Sequence, residues 1–470
     1  MAQSATQTAD PAPLPTRVAE RVGWLTLFNY TAPFVPAYFI YMMVTIAFMY
    51  FATDVLSLAP GLIGTIFFAS KIWDAFSDPM VGYLSDRTKA RFGRRRTWLI
   101  ASSLPLAAAS IMLWSPPTSL SETELRIWVA VSLFGFYTAF TVYAVPHLAL
   151  GAELSPSPVE RARVFGGRQV GLSLAMLAAF VFASPMIIDN PSARENAAML
   201  SAVGAALFAT AIIICTIGLP KEREDYVGRG AENPIAAMRD VARNPHAKLL
   251  LFVYFVEVFG IAGTSAMTAY VLKYVTLAAE YIGLVFLTYA IPAILSIPFW
   301  VAMGQRFERH KLWRYAMGLQ AIGFGTILFQ DEGRLWLMIA SSLINGFAMG
   351  CGQTLGQAIK ADVIDYDEYR TGQRKEGAYF ATWNLAGKLG TGLMVALAGW
   401  ALQWSGYVKD VPQTATTLWT IRLIAGGAPM VCLLIGMTLF SRFSLDSREH
   451  ARIRAEIDAR TPHPQEEGSS

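Results

Sequence analysis

Apolar stretches of roughly 20 residues recur along the chain with short polar connections between most of them, and each is long enough to cross a ~30 Å hydrocarbon core as a helix. The pattern predicts twelve spans, at 27–52, 60–84, 97–115, 125–152, 168–189, 197–219, 247–275, 280–304, 312–330, 334–361, 376–403 and 417–440. Residues 1–26 are rich in Ala, Pro and Thr and lack the apolar core of a cleavable signal peptide, so they read as a cytoplasmic tail. The longest interior polar segment, 220–246, separates an N-terminal six-helix half (27–219) from a C-terminal six-helix half (247–440), and 441–470 forms a second tail with a short surface helix expected around Arg448 to Ala459. The fold class is an all-α membrane protein.

Composition agrees with this pattern: 54% of the 470 residues are hydrophobic, 15% are charged, and the mean hydropathy is +0.40. The formal charge of +4 is a topology signal rather than a nucleic-acid patch, because the bases cluster in alternate connections. Arg87, Lys89, Arg91, Arg94, Arg95 and Arg96 follow the second span, Arg161 and Arg163 the fourth, and Arg306, Arg309, Lys311 and Arg314 the eighth. Intervening loops carry single bases such as Lys273 and Lys409. Both termini are then expected on the cytoplasmic side. Cys215, Cys351 and Cys432 lie singly in apolar spans, without the paired spacing of a zinc or redox centre.

Two loop motifs repeat. Gly82-Tyr-Leu-Ser-Asp86-Arg87 has a partner in Gly304-Gln-Arg-Phe-Glu308-Arg309, 222 residues later, and Ala152-Glu153 has one in Ala361-Asp362, 209 residues later. Acids at helix ends can pair with Arg and with helix termini of a neighbouring bundle. Asp86, Arg87, Glu153, Arg163, Glu308, Arg309, Asp362 and Asp365 are therefore expected to latch the cytoplasmic face shut in one state. A loop serving topology alone is the plainer alternative.

Lys71, Asp74 and Asp78 follow at spacings of three and four, which puts all three on one stripe of the second helix. Acids inside a membrane normally face a polar cavity or an ion path. Two carboxylates one turn apart could ligate Na⁺ or share a proton; alternatively, Lys71 could simply neutralise Asp74. Lys388 lies mid-span, too deep to snorkel easily, and needs a carboxylate. Asp74 or Asp78 is the expected partner. Glu257 sits deep in the seventh span with no base nearby in sequence and reads as a substrate or proton site, or alternatively as a structural hydrogen bond, while Trp383 and Asn384 could give an aromatic platform and a polar anchor for a hydroxylated solute. No phosphate-binding GxxxxGK[ST] loop is present, so an ATP-driven pump has no support. The acids Asp362, Asp365, Asp367 and Glu368 could suggest a metalloenzyme, but they lie beside Arg370, Arg374 and Lys375 and read as salt bridges.

The Gly-x-x-x-Asp-Arg loop followed by Gly93-Arg-Arg-Arg96 resembles the signature of the major facilitator superfamily, which implies two six-helix halves rocking about a central cavity. The run from Lys71 to Tyr83, with Asp86-Arg87-Thr88, Gly93-Arg94 and Ala361-Asp362-Val-Ile-Asp365-Tyr366-Asp367-Glu368-Tyr369, resembles the melibiose permease-like glycoside-pentoside-hexuronide:cation symporter family. That resemblance implies a non-enzymatic symporter of the bacterial-type cytoplasmic (inner) membrane. It implies Asp74, Asp78 and Thr141 at the cation, Lys388 and Lys71 in coupling, and Tyr38 and Arg168 among the substrate positions. The sequence departs from the family pattern at Ala144, which replaces a third acid, and at Tyr38, which replaces a sugar-binding acid. The expected partners are a small solute, a coupling cation (Na⁺ or H⁺, with no other metal or cofactor) and the bilayer, for a monomer that binds no nucleic acid. A sugar or glycoside is the leading solute and a lysophospholipid the alternative.

Overall fold

A computed structural model describes residues 21–155, 157–220, 222, 239, 241, 243–372 and 375–460. The expected tail 1–26 and loop 220–246 fall largely outside these residues, as does 461–470. The main helical runs are α1 (Trp24–Val55), α2 (Pro60–Arg87), α3 (Arg94–Trp114), α4 (Glu122–Glu153), α5 (Val159–Ile187), α6 (Ala193–Gly218), α7 (Pro245–Val275), α8 (Ala279–Arg306), α9 (Arg309–Gly325), α10 (Leu335–Thr371), α11 (Glu376–Trp404), α12 (Ala415–Phe440) and α13 (Ser447–Arg460). Ten of them are long and apolar enough to cross a membrane. The expectation of twelve spans rests further on α2, whose apolar run Lys71, Asp74 and Asp78 interrupt, and on α9, which has 17 residues.

Local chemistry explains several helix ends. Ser121 and Glu124 form a reciprocal capping box that starts α4. Asn244 caps α7 by accepting from the backbone N–H groups of His246 and Ala247, and its amide also donates to the Tyr379 hydroxyl at 2.8 Å. At Gly93 the backbone has φ +105°, and a Cβ there would lie 2.7 Å from the Glu222 carboxylate, which caps α3 by accepting from the backbone N–H groups of Arg95 and Arg96. Glycine alone fits that turn without strain. The tenth span, expected to end at 361, continues to Thr371 because the acids of its last turns find partners: Asp362 meets Arg309, and Asp365 meets His450 of α13.

The α2 and α11 helices pack closely along their length. Small residues permit it: a Cβ at Gly64 would lie 2.8 Å from the Val395 carbonyl oxygen, and one at Gly392 would lie 2.9 Å from Lys71 Cβ. The backbone also repeats itself at close to the 222-residue spacing of the first loop motif. The π-helical turn Phe51–Val55 ending α1 has a counterpart, Val271–Val275, ending α7. Left-handed Ser57 and Asp189 (φ 61° and 53°) likewise match Leu277 and Asp410 (φ 52° and 55°).

Candidate cation and solute site

The close approach of α2 and α11 brings Lys388 between the two acids. Its ammonium lies 2.9 Å from Asp74 and 2.5 Å from Asp78, although more than 300 residues separate it from both in sequence. The Thr141 hydroxyl of α4 lies 2.7 Å from Asp74 Oδ1 and 3.0 Å from Asp78 Oδ1. A hydroxyl has one hydrogen to give. With both acids ionised, one of these two oxygen–oxygen contacts lacks a proton, which is a place that a proton or a hard cation would satisfy. Asp74 is buried and Asp78 half-buried.

Lys71 takes a different course from its neighbours on the stripe. It makes no ion pair with a described residue; its ammonium donates to the Tyr41 hydroxyl at 3.1 Å and sits 3.9 Å from the Tyr137 ring centroid. Aromatic faces thus hold this buried cation, and the alternative in which Lys71 neutralises Asp74 does not describe this structure. Lys388 supplies the ammonium to both acids instead.

The substrate candidates fall on two walls. On the N-terminal helices, the Arg168 guanidinium lies 4.7 Å from the centroid of Phe34, which stacks on Tyr38 at 4.0 Å, so these two candidates share one aromatic neighbour. On the C-terminal helices, Glu257 and Trp383 are buried whereas Asn384 is exposed. Successive helical residues diverge by about 100°, which puts Trp383 and Asn384 on different sides of α11. Lys360, which no motif in the sequence marks, lies 5.4 Å over Trp383 and 4.3 Å over Tyr254. A cavity of about 210 Å³ lies between helices of the N-terminal and C-terminal sets, lined among others by Thr45, Phe180, Ser265, Tyr289 and Asn345, and the substrate candidates are not among its lining residues.

The candidate gate residues cluster at the end of the bundle that carries the Arg-rich loops, but not across the molecule. Arg94 and Arg95 bind Glu153, Arg95 also binds Asp86, Arg87 stacks on Tyr83, and Arg163 pairs with Glu160 rather than with Glu153. Arg309 pairs with Asp362, Glu308 accepts from Ser447, and Asp365 faces His450. Among the described residues, each polar bond at this end stays within α1–α6 and their loops or within α7–α13. Among the described residues, these bonds do not form the expected latch between bundles. Asp86, Glu153, Asp362 and Asp365 find bases on an adjoining helix or on α13, and Glu308 finds the Ser447 hydroxyl.

Apart from the bonds that join α2 to α11, Lys388 with Asp74 and Asp78 among them, the bonds that cross gather at the opposite end, around Asp54. Its carboxylate accepts from Lys273 at 3.2 Å, Tyr274 at 2.5 Å, Tyr407 at 2.6 Å and Thr53 at 2.9 Å. Lys273 also lies 3.4 Å from Asp189 and 2.7 Å from Asp410, the two matching left-handed acids. Sequence reasoning had noted Lys273 and Lys409 merely as lone bases. The missing signal was the pairing of Asp189 with Asp410 at the repeat spacing.

The family described as MFS/sugar transport protein matches residues 29–447. An isoprimeverose transporter of Lactiplantibacillus pentosus is 26% identical, over 90% of this chain and 89% of its own. A glucuronide carrier protein homolog of Escherichia coli (strain K12) is 21% identical, over 94% and 97%. Among solved structures, the nucleoside transporter NupG aligns with a TM-score of 0.64 at 12% identity, covering 88% of this chain and 99% of that one. That likeness shows a shared all-helical fold.

Proposed function

We propose that this chain, which belongs to the MFS/sugar transport protein family and is a multi-pass transporter rather than an enzyme, couples the passage of a sugar, glycoside or related solute to that of Na⁺ or H⁺. The reading counts α2 and α9 as spans, giving twelve helices in two six-helix halves, and the repeated π turns and left-handed residues support that division. It puts the Arg-rich end in the cytoplasm with both termini, in a bacterial-type inner membrane. A monomer suffices for the mechanism.

One observation carries the reading: Lys388 of the second half is held by Asp74 and Asp78 of the first, with Thr141 bridging the acids. A cation entering between the carboxylates competes with the ammonium for the same oxygens, so it weakens a tie between the halves while filling the site. Binding of the ion and the relative position of the halves are thereby linked. Closure around Asp54 at one end, with the crossing bonds absent among the described residues at the other, fits a conformation open toward the cytoplasm. The names of the two relatives support a glycosidic or hexuronide-type solute.

Counterflow of labelled D-xylose, D-glucose and D-glucuronate in proteoliposomes, with and without an imposed Na⁺ or H⁺ gradient, tests the reading. Accumulation above equilibrium under one gradient is the expected result. If none of the three moves under any gradient, the sugar-symporter reading fails.

A further inference from the structure

Glu257 of α7 and Lys360 of α10 are 8% and 7% exposed, are an acid and a base, and close no ion pair within 4.0 Å with each other or with any described residue. No described side chain hydrogen-bonds to either. The two still feel each other electrostatically, and Tyr289, which lines the central cavity, feels Glu257. Lys360 rests on the Tyr254 and Trp383 rings, and the Trp383 indole N–H is buried without an acceptor. Opposite buried charges held apart are costly, and a fold selected for stability alone would close the pair or replace it with apolar residues. By helical rise, Glu257 and Lys388 both lie about 18 Å from the starts of their helices, so the unpaired acid stands near the level of the ion cluster.

We propose that Glu257 and Lys360 form a hydroxyl-recognition subsite, taking a polyol through two neighbouring oxygens; this rests on the transport reading above. Glu257 accepts from one hydroxyl and Lys360 donates to the adjacent oxygen, so a single solute bridges the gap the two side chains leave. The Trp383 N–H supplies a further donor. On the facing wall, Tyr38 and Arg168 offer an aromatic hydroxyl and a base but no acid. Glu257 gives the C-terminal wall a carboxylate that can accept from a sugar hydroxyl.

The test is equilibrium binding and counterflow by the full-length chain at fixed Na⁺ and pH with no gradient, using D-xylose, D-glucose and D-glucuronate, with 2-deoxy-D-glucose lacking one oxygen of the pair. At least one of the three sugars should bind, and 2-deoxy-D-glucose more weakly than D-glucose if D-glucose is bound. Glu257→Gln and Lys360→Gln should each weaken that binding roughly tenfold or more, the size of a lost charge-assisted hydrogen bond, while the ligand-free thermal midpoint stays level or rises. Binding in both variants equal to wild type, or by none of the sugars, would overturn the proposal. So would collapse of the ligand-free midpoint in either variant, which would assign the pair to structure. Exchange needs no gradient, so a failure of cation coupling at Asp74 and Asp78 leaves this readout intact, and a failure here leaves gradient-driven accumulation to be judged separately.

Discussion

Two acid–base clusters join the N-terminal helices to the C-terminal ones, and they are satisfied to different degrees. Around Asp54, a lysine, two tyrosines and a threonine supply four donors to one carboxylate, and Asp189 and Asp410 hold the same lysine from either side. At α2, two carboxylates share one ammonium and one hydroxyl. An ionised carboxylate has about four lone-pair sites, so the Asp54 cluster is nearly filled while the α2 cluster retains acceptor capacity. A filled cluster suits a latch that opens or closes as a unit. A partly filled one suits exchange with an incoming cation.

The largest expected effect comes from emptying the α2 cluster of charge. Asp78→Asn keeps the side-chain volume but removes the acid, and it should abolish gradient-driven accumulation in proteoliposomes while counterflow persists. Full accumulation by this variant would remove the distinction between the clusters. Lys388→Gln should uncouple next most severely, leaving solute movement that no longer responds to the cation gradient; unchanged coupling ratios would assign Lys388 to structure. Asp54→Asn breaks the latch and leaves Lys273 with its two flanking acids. Loss of one partner from a buried pair costs on the order of 3 kcal/mol, or about a hundredfold in the balance between states. A cysteine placed at Thr45, on the cavity wall, should then react faster with an impermeant maleimide added from the Asp54 side, and an unchanged rate would show that the cluster is no latch. Smallest is Gly93→Ala, outside both clusters, where the positive φ and the nearby Glu222 carboxylate should lower thermal stability by roughly 1–3 kcal/mol without altering coupling.

What the sequence made legible follows from which contacts are local. Apolar runs marked most of the spans, and the three–four spacing marked the Lys71, Asp74, Asp78 stripe, because both depend on helical period alone. That Lys388 needed an acid followed from its depth, since a buried ammonium has few alternatives. The separate course of Lys71 was not legible: it depends on Tyr41 and Tyr137 from two other helices. Neither was the Asp54 cluster, whose members come from the ends of α1, α5 and α7 and from the segment after α11, each unremarkable in its own loop. The charged loop motifs were read as a latch between bundles, yet their nearest partners lie on adjoining helices and on α13, whose position no local pattern encodes.

The exchange of Lys388 for a cation is tested most directly by uptake of labelled sugar into proteoliposomes under Na⁺ and H⁺ gradients imposed separately, in the wild type and in Asp74→Asn. The wild type should accumulate sugar above equilibrium under at least one gradient, and the variant should reach equilibrium and stop. Equal accumulation by both proteins would contradict the assignment of the coupling cation to Asp74 and Asp78.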